Sequence, residues 1–552
     1  MKTKLALLIT LLGALPFAAE AQIFNWSGRY GGNGEDVVVS TYTDASGNTY
    51  STGYYTMDCD FDIGMGEYVI SHDTDYEIFV TKTNSDGVFQ WAKSVGSISG
   101  DNGTAITADH AGNVYVTGVY QETGDFDPGE GTLNLTSTGS LDIFVMKLDP
   151  QGNLVWAKSI GGTDYESTTG IGVDNNGNVY LGGYFYFEMD FDPSGAEYLM
   201  SPAGSGDGFA VKLDPNGNFV WAKQFGGTEF ELATGMKVMP NGDVYLTGNF
   251  TGTADFDPSG ETFNLTTPAD HDGLYLLRLD PDGELVTAMK VAQTDNHLYG
   301  MSVDVNDNGT MALTGYFGGN IDFGVAQFTA SDFYNGYVVK INPDGTNAWA
   351  RYLNADLGSQ SYDVALSGEE VLVFGFFSGT MQFDGESLGP VEGDNAQQNF
   401  LAKFSQDGSF VWAHRFGGSN FIDTATMGMD QTGHIYLSAA FENQVDLNPL
   451  PDSEQLAASE AFRDNFLVKI AQAELSLPGE QMHSVALYPN PTTGSVYVNS
   501  EDFEGSTYTI SDMAGRIVLE GSVASGKIDM ASLHAGIYAV TVGTSTHKIV
   551  RR

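Results

Sequence analysis

A unit of about 65 residues repeats along most of this chain, and this repetition limits its folds more than any other feature. The segment FVMKLDPQGNLVWAKSIGGTDYE, from Phe144 to Glu166, returns as FAVKLDPNGNFVWAKQFGGTEFE, from Phe209 to Glu231. The start of each unit is marked by a tryptophan at Trp26, Trp91, Trp156, Trp221, Trp349 and Trp412. In the remaining unit, Thr287 takes the place of the tryptophan. Seven units therefore begin near residues 26, 91, 156, 221, 287, 349 and 412.

Each unit contains four segments with the pattern of β-strands. In the fourth unit they read FVWAKQF, ATGMKVM, DVYLTGNF and LYLLRLD, with alternating or continuous apolar residues between turn residues. PNG and LDPDG separate neighbouring segments, and a glycine in such a turn adopts positive φ. The sequence predicts an all-β chain built from antiparallel hairpins.

Four antiparallel strands repeated seven times predict a seven-bladed β-propeller over residues 22–470. An open solenoid is the alternative, and it would require capping repeats at both ends. The chain begins with a lone tryptophan strand, IFNWSGRY, and the last unit ends at NFLVKI without one. We expect these two strands to pair, because the pairing closes the ring and removes both exposed edges. The recurring tryptophan is then interpreted as packing between adjacent blades rather than as an exposed platform for ligands.

The net charge is −48, from 71 acidic and 23 basic side chains. Nucleic acids are excluded as partners, because phosphate binding requires clustered Lys and Arg. Anionic membranes are disfavoured for the same reason. Such a surface favours cations and solubility.

A DFD motif follows the third segment of each of the first four units, the one that reads DVYLTGNF in the fourth unit. Its middle residue is apolar, so the two aspartates share the opposite face of the strand. Hard oxygen ligands of this kind suit Ca²⁺, the one cofactor that the sequence indicates. The alternative is that each aspartate caps a local turn, and both interpretations stay open. The candidate calcium ligands are Asp60, Asp62, Asp125, Asp127, Asp190, Asp192, Asp255 and Asp257.

A second acidic series lies just before the second segment of these units, at Asp36, Asp101, Glu166 and Glu231. Both series are expected at one end of the sheets. Segments of about 20 residues after each DFD motif vary more than the hairpin turns do. Long variable loops on a rigid scaffold are usual sites of recognition, so a binding surface is predicted there.

The N-terminus, MKTKLALLITLLGALPFAAEAQ, has the pattern of a secretory signal peptide over residues 1–21. Cleavage is predicted between Ala21 and Gln22. No transmembrane segment is predicted, because the apolar run is shorter than the roughly 20 residues that span a bilayer. Cys59 is the one cysteine, so no internal disulfide can form.

Residues 484–552 differ in character, with six acidic and five basic residues, and follow a polar linker at 471–483. Short strands with turn signals predict a small Ig-like β-sandwich. The motifs YPNPTTG, DMAGR, LHAGIY and the terminal KIVRR resemble the type A sorting domain of the type IX secretion system of Bacteroidota. This resemblance implies that the secretion machinery is a partner, and that the domain is usually cleaved before release or surface attachment. The matching residues are Pro489, Asn490, Pro491, Gly494, Asp512, Gly515, Gly536 and Tyr538.

Residues 22–470 resemble secreted bacterial β-propeller-repeat (SBBP-like) proteins. The resulting expectation is an exported, cell-surface or secreted scaffold that binds or adheres to a glycan or a protein. The alternative is an extracellular carbohydrate-active hydrolase or lyase, although no catalytic motif is recognised and no catalytic residue is predicted. A structural envelope component is a third interpretation.

Overall fold

The computed structural model contains two compact units, one within residues 22–472 and the other within residues 487–552. The described residues contain strands, turns and bends but no helix, so the predicted all-β class is confirmed. Accordingly, they include no helix long and apolar enough to cross a membrane. The structure describes residues 22–72, 75–330, 333–391, 396–417, 425–448, 456–472, 487–488, 492–498, 506–512, 516–523, 527–542 and 545–552.

The first unit contains seven antiparallel sheets, each with four main strands in chain order except the last. Sheet 1 comprises Asp36–Thr43, Thr49–Tyr55, Glu77–Thr83 and Phe89–Val95; sheet 2 comprises Asn102–Ala108, Val114–Tyr120, Asp142–Leu148 and Leu154–Gly162. Sheet 3 comprises Glu166–Val173, Val179–Phe185, Asp207–Leu213 and Phe219–Gly227; sheet 4 comprises Glu231–Val238, Val244–Thr251, Asp272–Leu279 and Leu285–Thr294. Sheet 5 comprises Leu298–Val305, Met311–Phe317, Asn335–Ile341 and Asn347–Leu353; sheet 6 comprises Ser359–Ser367, Glu370–Phe377, Gln398–Phe404 and Phe410–Phe416. Sheet 7 comprises Thr426–Met429, Ile435–Asp446, Leu456–Gln472 and Gln22–Gly32.

Sheet 7 is completed by the N-terminal strand. Gln22–Gly32 runs antiparallel to Leu456–Gln472, with Trp26 opposite Lys469 and Arg29 opposite Phe466. The first strand of each sheet contacts the first strand of the next, and the first strand of sheet 7 contacts that of sheet 1. The predicted pairing between the two ends of the repeat region is confirmed.

The segments after the DFD motifs differ from the expected loops, because each folds back as a short β-hairpin. Residues at the base of the hairpin pair with the fourth strand of the preceding sheet: Asp60 lies opposite Gly31, and Asp255 opposite Gly226. The apolar residue of the motif provides the anchor, since Phe61 and Phe256 are fully buried. The hairpins are Asp58–Asp60 with Val69–Ser71, Thr123–Asp125 with Asn134–Thr136, Met189–Asp190 with Leu199–Met200, Thr253–Asp255 with Asn264–Thr266, Asn320–Asp322 with Gln327–Thr329, and Met381–Gln382 with Ser387–Leu388.

The repeated tryptophan joins neighbouring sheets. In sheet 3 the Trp221 indole packs edge-on against Tyr180 with ring centroids 6.1 Å apart. Its Nε1 donates a hydrogen bond to the Pro281 carbonyl of sheet 4 at 3.2 Å. Gly283 in the same turn has φ of +80°, and a Cβ there would lie 3.1 Å from the indole. Four further tryptophans donate equivalent bonds to the next sheet: Trp26, Trp91, Trp156 and Trp349.

The second unit contains two sheets around one apolar core. One comprises Leu487–Tyr488, Ser495–Val498 and Lys527–Asp529; the other comprises Ile517–Ser522, Thr507–Asp512, Gly536–Val542 and Ser545–Arg551. Val496 and Ile528 of the first sheet meet Ile510 and Val540 of the second in the core. Several predicted positions lie outside the described residues: Ala21, Pro489, Asn490, Pro491 and Gly515.

We expect Trp221→Ala to lower the free energy of unfolding by about 3 kcal/mol, because the change removes packing between two sheets and one hydrogen bond. Urea unfolding followed by circular dichroism measures the difference. Met65→Ala is the control, since Met65 is fully exposed and its loss should change stability by less than about 0.5 kcal/mol. Equal stability of the two variants would contradict the packing role.

Candidate functional site

Both aspartates of each DFD motif accept hydrogen bonds within their own turn. Asp255 Oδ1 accepts from the backbone N–H groups of Asp257 and Phe263, at 3.0 and 2.8 Å. Asp257 Oδ1 accepts from the N–H of Ser259 at 2.9 Å. The motifs at Asp60, Asp125 and Asp190 repeat this pattern. These bonds satisfy part of each carboxylate and fix the hairpin that follows.

The eight motif aspartates are spread over four separate hairpins. Within the part of the chain that the structure describes, no three His, Cys, Asp or Glu side chains form a group that could hold a metal ion. Calcium binding by the motif aspartates therefore stays a prediction.

The second acidic series lies at the boundaries between sheets, where each member faces another acid. The partner acid lies in the third strand of the preceding sheet, as its first residue at Glu77, Asp142 and Asp207 and inside the strand at Asp464. We call these four combinations the junction pairs: Asp464 with Asp36, Glu77 with Asp101, Asp142 with Glu166, and Asp207 with Glu231. All eight side chains are at most 6% exposed. Carboxylates in such positions must be hydrogen-bonded, protonated or paired with a cation.

The two acids of a junction pair border the same small space beside a glycine. A Cβ atom placed on Gly226 would lie 2.6 Å from Asp207 Oδ1 and 3.0 Å from Glu231 Oε2. A Cβ on Gly96 would lie 2.6 Å from Asp101 Oδ2 and 3.0 Å from Glu77 Oε2. Glycine is required here because any larger side chain would collide with the carboxylates.

Burial raises the pKa of the junction acids Asp36, Glu77, Asp101, Asp142, Glu166, Asp207 and Glu231. The values are about 8 for Asp36, Glu77 and Glu166, about 7 for Glu231 and about 6 for Asp101. In four of these five groups the negative charge of the partner acid raises the pKa further. Each pair therefore holds a proton more tightly than an exposed carboxyl group does.

Sequence analysis found one member of each junction pair and missed the other. The missed acids also follow the repeat, since Glu77, Asp142 and Asp207 are spaced by 65 residues and each begins the third strand. Their periodicity is visible in EIFVTK, DIFVMK and DGFAVK. Only the structure shows that the third strand of one sheet begins beside the start of the first strand of the next.

Aromatic side chains form a second feature that sequence analysis missed. We call the end of the sheets that carries the hairpins the long-loop end. There, Tyr299 and Tyr316 stack with ring centroids 4.7 Å apart, and Tyr334 and Tyr362 lie 5.7 and 6.2 Å from Tyr316. Phe376 stacks on Tyr362 at 5.7 Å. These five residues form the Tyr316 cluster, which joins sheets 5 and 6.

Two smaller aromatic groups occupy the same end of other sheets. In the Tyr186 cluster, Tyr165, Tyr184 and Phe230 surround Tyr186 at 5.6 to 6.1 Å and join sheets 3 and 4. In sheet 1, Tyr54 and Tyr76 meet edge-on at 4.7 Å. Members of all three groups reach the surface, with Tyr76 37%, Tyr165 41%, Phe230 49% and Tyr334 36% exposed.

A cavity of about 520 Å³ is lined by the first strands of all seven sheets. Three of its charged side chains make contacts between neighbouring sheets. Lys237 Nζ lies 2.8 Å from Asp304 Oδ1, and Asp363 accepts from the hydroxyl of Ser302 and the N–H of Met427, both at 2.8 Å. These groups connect sheets 4 to 7, so their main role is to hold the first strands of these sheets together.

Residues 486–552 match the family model described as a secretion system C-terminal sorting domain. This segment is a sorting domain. Among the sorting-motif residues that the sequence indicated, Gly536 begins a strand, and the Tyr538 hydroxyl donates a hydrogen bond to the His534 carbonyl at 2.9 Å. The match covers the second unit only. A sorting domain implies handling by the type IX secretion machinery and export to the cell surface or the extracellular space.

Part of the repeat region is similar to two curated proteins. WD repeat-containing protein L264 of Acanthamoeba polyphaga mimivirus is 26% identical over 192 residues, 31% of this chain and 14% of that protein. The regulatory protein FlaEY of Caulobacter vibrioides is 27% identical over 126 residues, 22% of this chain and 13% of that protein. The matches thus span a small part of either relative's length.

Among solved structures, PorZ, a surface component of the type IX secretion system of Porphyromonas gingivalis, aligns over 95% of this chain and 100% of that chain. The identity is 9% and the TM-score 0.15. Similarity at this level supports no argument about fold or function.

In metal-free buffer, we expect the melting temperature to fall as the pH rises from 5.5 to 8.5. In the unfolded chain a carboxyl group titrates near pH 4, whereas in the folded chain the junction acids hold protons up to about pH 6 to 8. Between these values the folded state binds more protons, so stability decreases with pH. Differential scanning calorimetry at several pH values measures the slope.

Glu231→Gln is expected to reduce this slope, because glutamine fills the same space without a charge. Glu229→Gln provides the matched control, since Glu229 is exposed and two residues away. A melting temperature that rises with pH over this interval would contradict the account. So would equal slopes in the two variants.

Proposed function

We propose that the seven sheets form a closed seven-bladed β-propeller that acts as an exported, cell-surface or secreted binding scaffold. Its ligand is a glycan, which binds at the long-loop end. The C-terminal sorting domain directs the protein to the outside of the cell. The cyclic order of the sheets supports the propeller, because each first strand contacts the next and the seventh contacts the first.

The observation that carries the binding proposal is the placement of the aromatic groups. Tyrosine offers a flat apolar ring with a hydroxyl at its edge, and it contributes contact area at low cost in conformational entropy. The Tyr316 and Tyr186 clusters gather such rings at the boundaries between sheets. Pyranose rings have one flat apolar face and polar edges, which suits them to stacking on these side chains.

The charge of the chain favours uncharged glycans over anionic ones. The net charge of −48 repels sulfated, phosphorylated or uronic acid polymers at low ionic strength. Glu35 lies beside one aromatic group, where its Oε2 accepts from the Tyr76 hydroxyl at 3.2 Å. A carboxylate in this position is able to accept hydrogen bonds from sugar hydroxyls.

A carbohydrate-active hydrolase or lyase is the rival function. It would require two carboxyl groups that a sugar chain can reach. The junction pairs have raised pKa values, which often mark catalytic groups. Their members are at most 6% exposed, however, and this burial argues for a role within the scaffold.

We expect residues 22–552, tested on a glycan array, to bind uncharged polysaccharides without cleaving them. Tyr299→Ala with Tyr334→Ala should weaken binding at least about tenfold, because each tyrosine removed takes away stacking area. Reducing-end release from the same polysaccharides measures cleavage.

Tyr198→Ala is the control variant for this experiment. Tyr198 is 42% exposed, and its ring packs on Phe219 of the fourth strand of sheet 3 rather than on a member of the Tyr316 or Tyr186 cluster. Binding to proteins alone, or unchanged affinity in the double variant, would contradict the glycan proposal. Turnover of any polysaccharide would favour the hydrolase or lyase.

A further inference from the structure

One position on the fourth strand recurs at every junction pair. Arg29, Ser94, Ser159 and Gln224 are each 65 residues apart, and each lies opposite a phenylalanine of the third strand. Each donates a hydrogen bond to the third-strand acid of its junction: Arg29 to Asp464, Ser94 to Glu77 at 3.4 Å, Ser159 to Asp142 at 3.4 Å, and Gln224 to Asp207 at 2.5 Å. The four junctions therefore share one architecture and differ in the charge of this donor.

The Arg29 junction provides its own positive charge. Its guanidinium pairs with Asp464, which in turn faces Asp36. In the Glu77 junction, His72 Nε2 lies 3.2 Å from Glu77 Oε2. In the Asp207 junction the equivalent donor, Gln224, is neutral. Two acids are thus buried there beside a donor that cannot balance their charge.

The Asp207 junction also has unused oxygen atoms. Asp207 is 1% exposed and Glu231 0% exposed. Asp207 Oδ2 accepts from Gln224 and from the N–H of Ala203, and Glu231 Oε2 accepts from the N–H of Gly227 at 2.7 Å. Among the described residues, Asp207 Oδ1 is buried without a hydrogen-bond partner, and Glu231 Oε1 accepts no hydrogen bond of normal geometry, although the Thr251 N–H lies beside this carboxyl group. A buried carboxylate oxygen without a partner is costly and indicates a group that completes it.

We propose that Asp207 and Glu231 bind one Ca²⁺ ion between sheets 3 and 4. Calcium prefers carboxylate and carbonyl oxygens and tolerates irregular geometry. Asp207 Oδ1 and the carboxylate of Glu231 border the same space beside Gly226, so one ion can contact both. Backbone carbonyls or water supply the remaining ligands. The site is distinct from the DFD aspartates and does not depend on the proposed glycan binding.

The ion has the role at this junction that Arg29 has at another. It balances two buried negative charges and links the third strand of one sheet to the first strand of the next. Calcium binding should therefore stabilise the folded chain by mass action. Calcium and protons compete for the same carboxylate oxygens, so the binding should be measured at alkaline pH.

The test uses residues 22–552 after passage over a chelating resin, at pH 8.5. Isothermal titration calorimetry with CaCl₂ should report binding, and calcium should raise the melting temperature by several degrees. Glu231→Gln should remove one equivalent of bound calcium. Gln224→Arg places a guanidinium at the position that Arg29 occupies in the first junction. This variant should have a higher melting temperature in EDTA than the unaltered chain, and it should bind one equivalent of calcium less. Glu229→Gln should bind calcium as the unaltered chain does.

Two results would overturn the proposal. One is the absence of calorimetric binding and of any change in melting temperature when calcium is added. The other is an unchanged calcium stoichiometry in Glu231→Gln, which would place the ion elsewhere, for example at the DFD aspartates. If Gln224→Arg fails to fold, the comparison of Glu231→Gln with Glu229→Gln still decides between these outcomes.

Discussion

The pairing of Gln22–Gly32 with Leu456–Gln472 is the constraint on which the rest of the first unit depends. Without it, sheet 7 would have three strands and an open edge, and Trp26 would not reach the turn of sheet 1 that contains Ser85. The same strand carries Arg29 to Asp464, so closure also balances a buried acid. The pairing of these two strands thus completes a sheet, a tryptophan contact and a junction pair.

The repeat explains how much of the fold could be predicted. Regular spacing of Trp26, Trp91, Trp156 and Trp221 indicated the units, and the lone strands at the two ends indicated their pairing. The middle residue of the DFD motif was expected to face inward, and Phe61 and Phe126 are buried, although each follows the last residue of a short hairpin strand. The hairpins after the DFD motifs were missed, because two or three residues per strand are too few to give a periodic signal.

The candidate sites were harder to predict, because they combine residues from different units. Glu231 was identified by its spacing, whereas its partner Asp207 was not, although it has the same period. The two meet only because the third strand of one sheet and the first strand of the next begin side by side. The Tyr316 cluster has no counterpart at every repeat, so periodicity alone could not indicate it. Contacts between units are where a repeat protein acquires sites that one unit does not contain.

Closure of the ring has a consequence for chain entropy. The contact between Arg29 and Asp464 joins residues 435 positions apart, whereas a strand pair within one sheet closes a loop shorter than one repeat. Loop-closure cost grows only with the logarithm of length, so extending a loop from one repeat to this span adds about 2 kcal/mol. Eight paired positions along the closing strand offset this small increment. Additional repeats would therefore add little to the entropic cost of closure, and the number of sheets is set by how neighbouring sheets fit together.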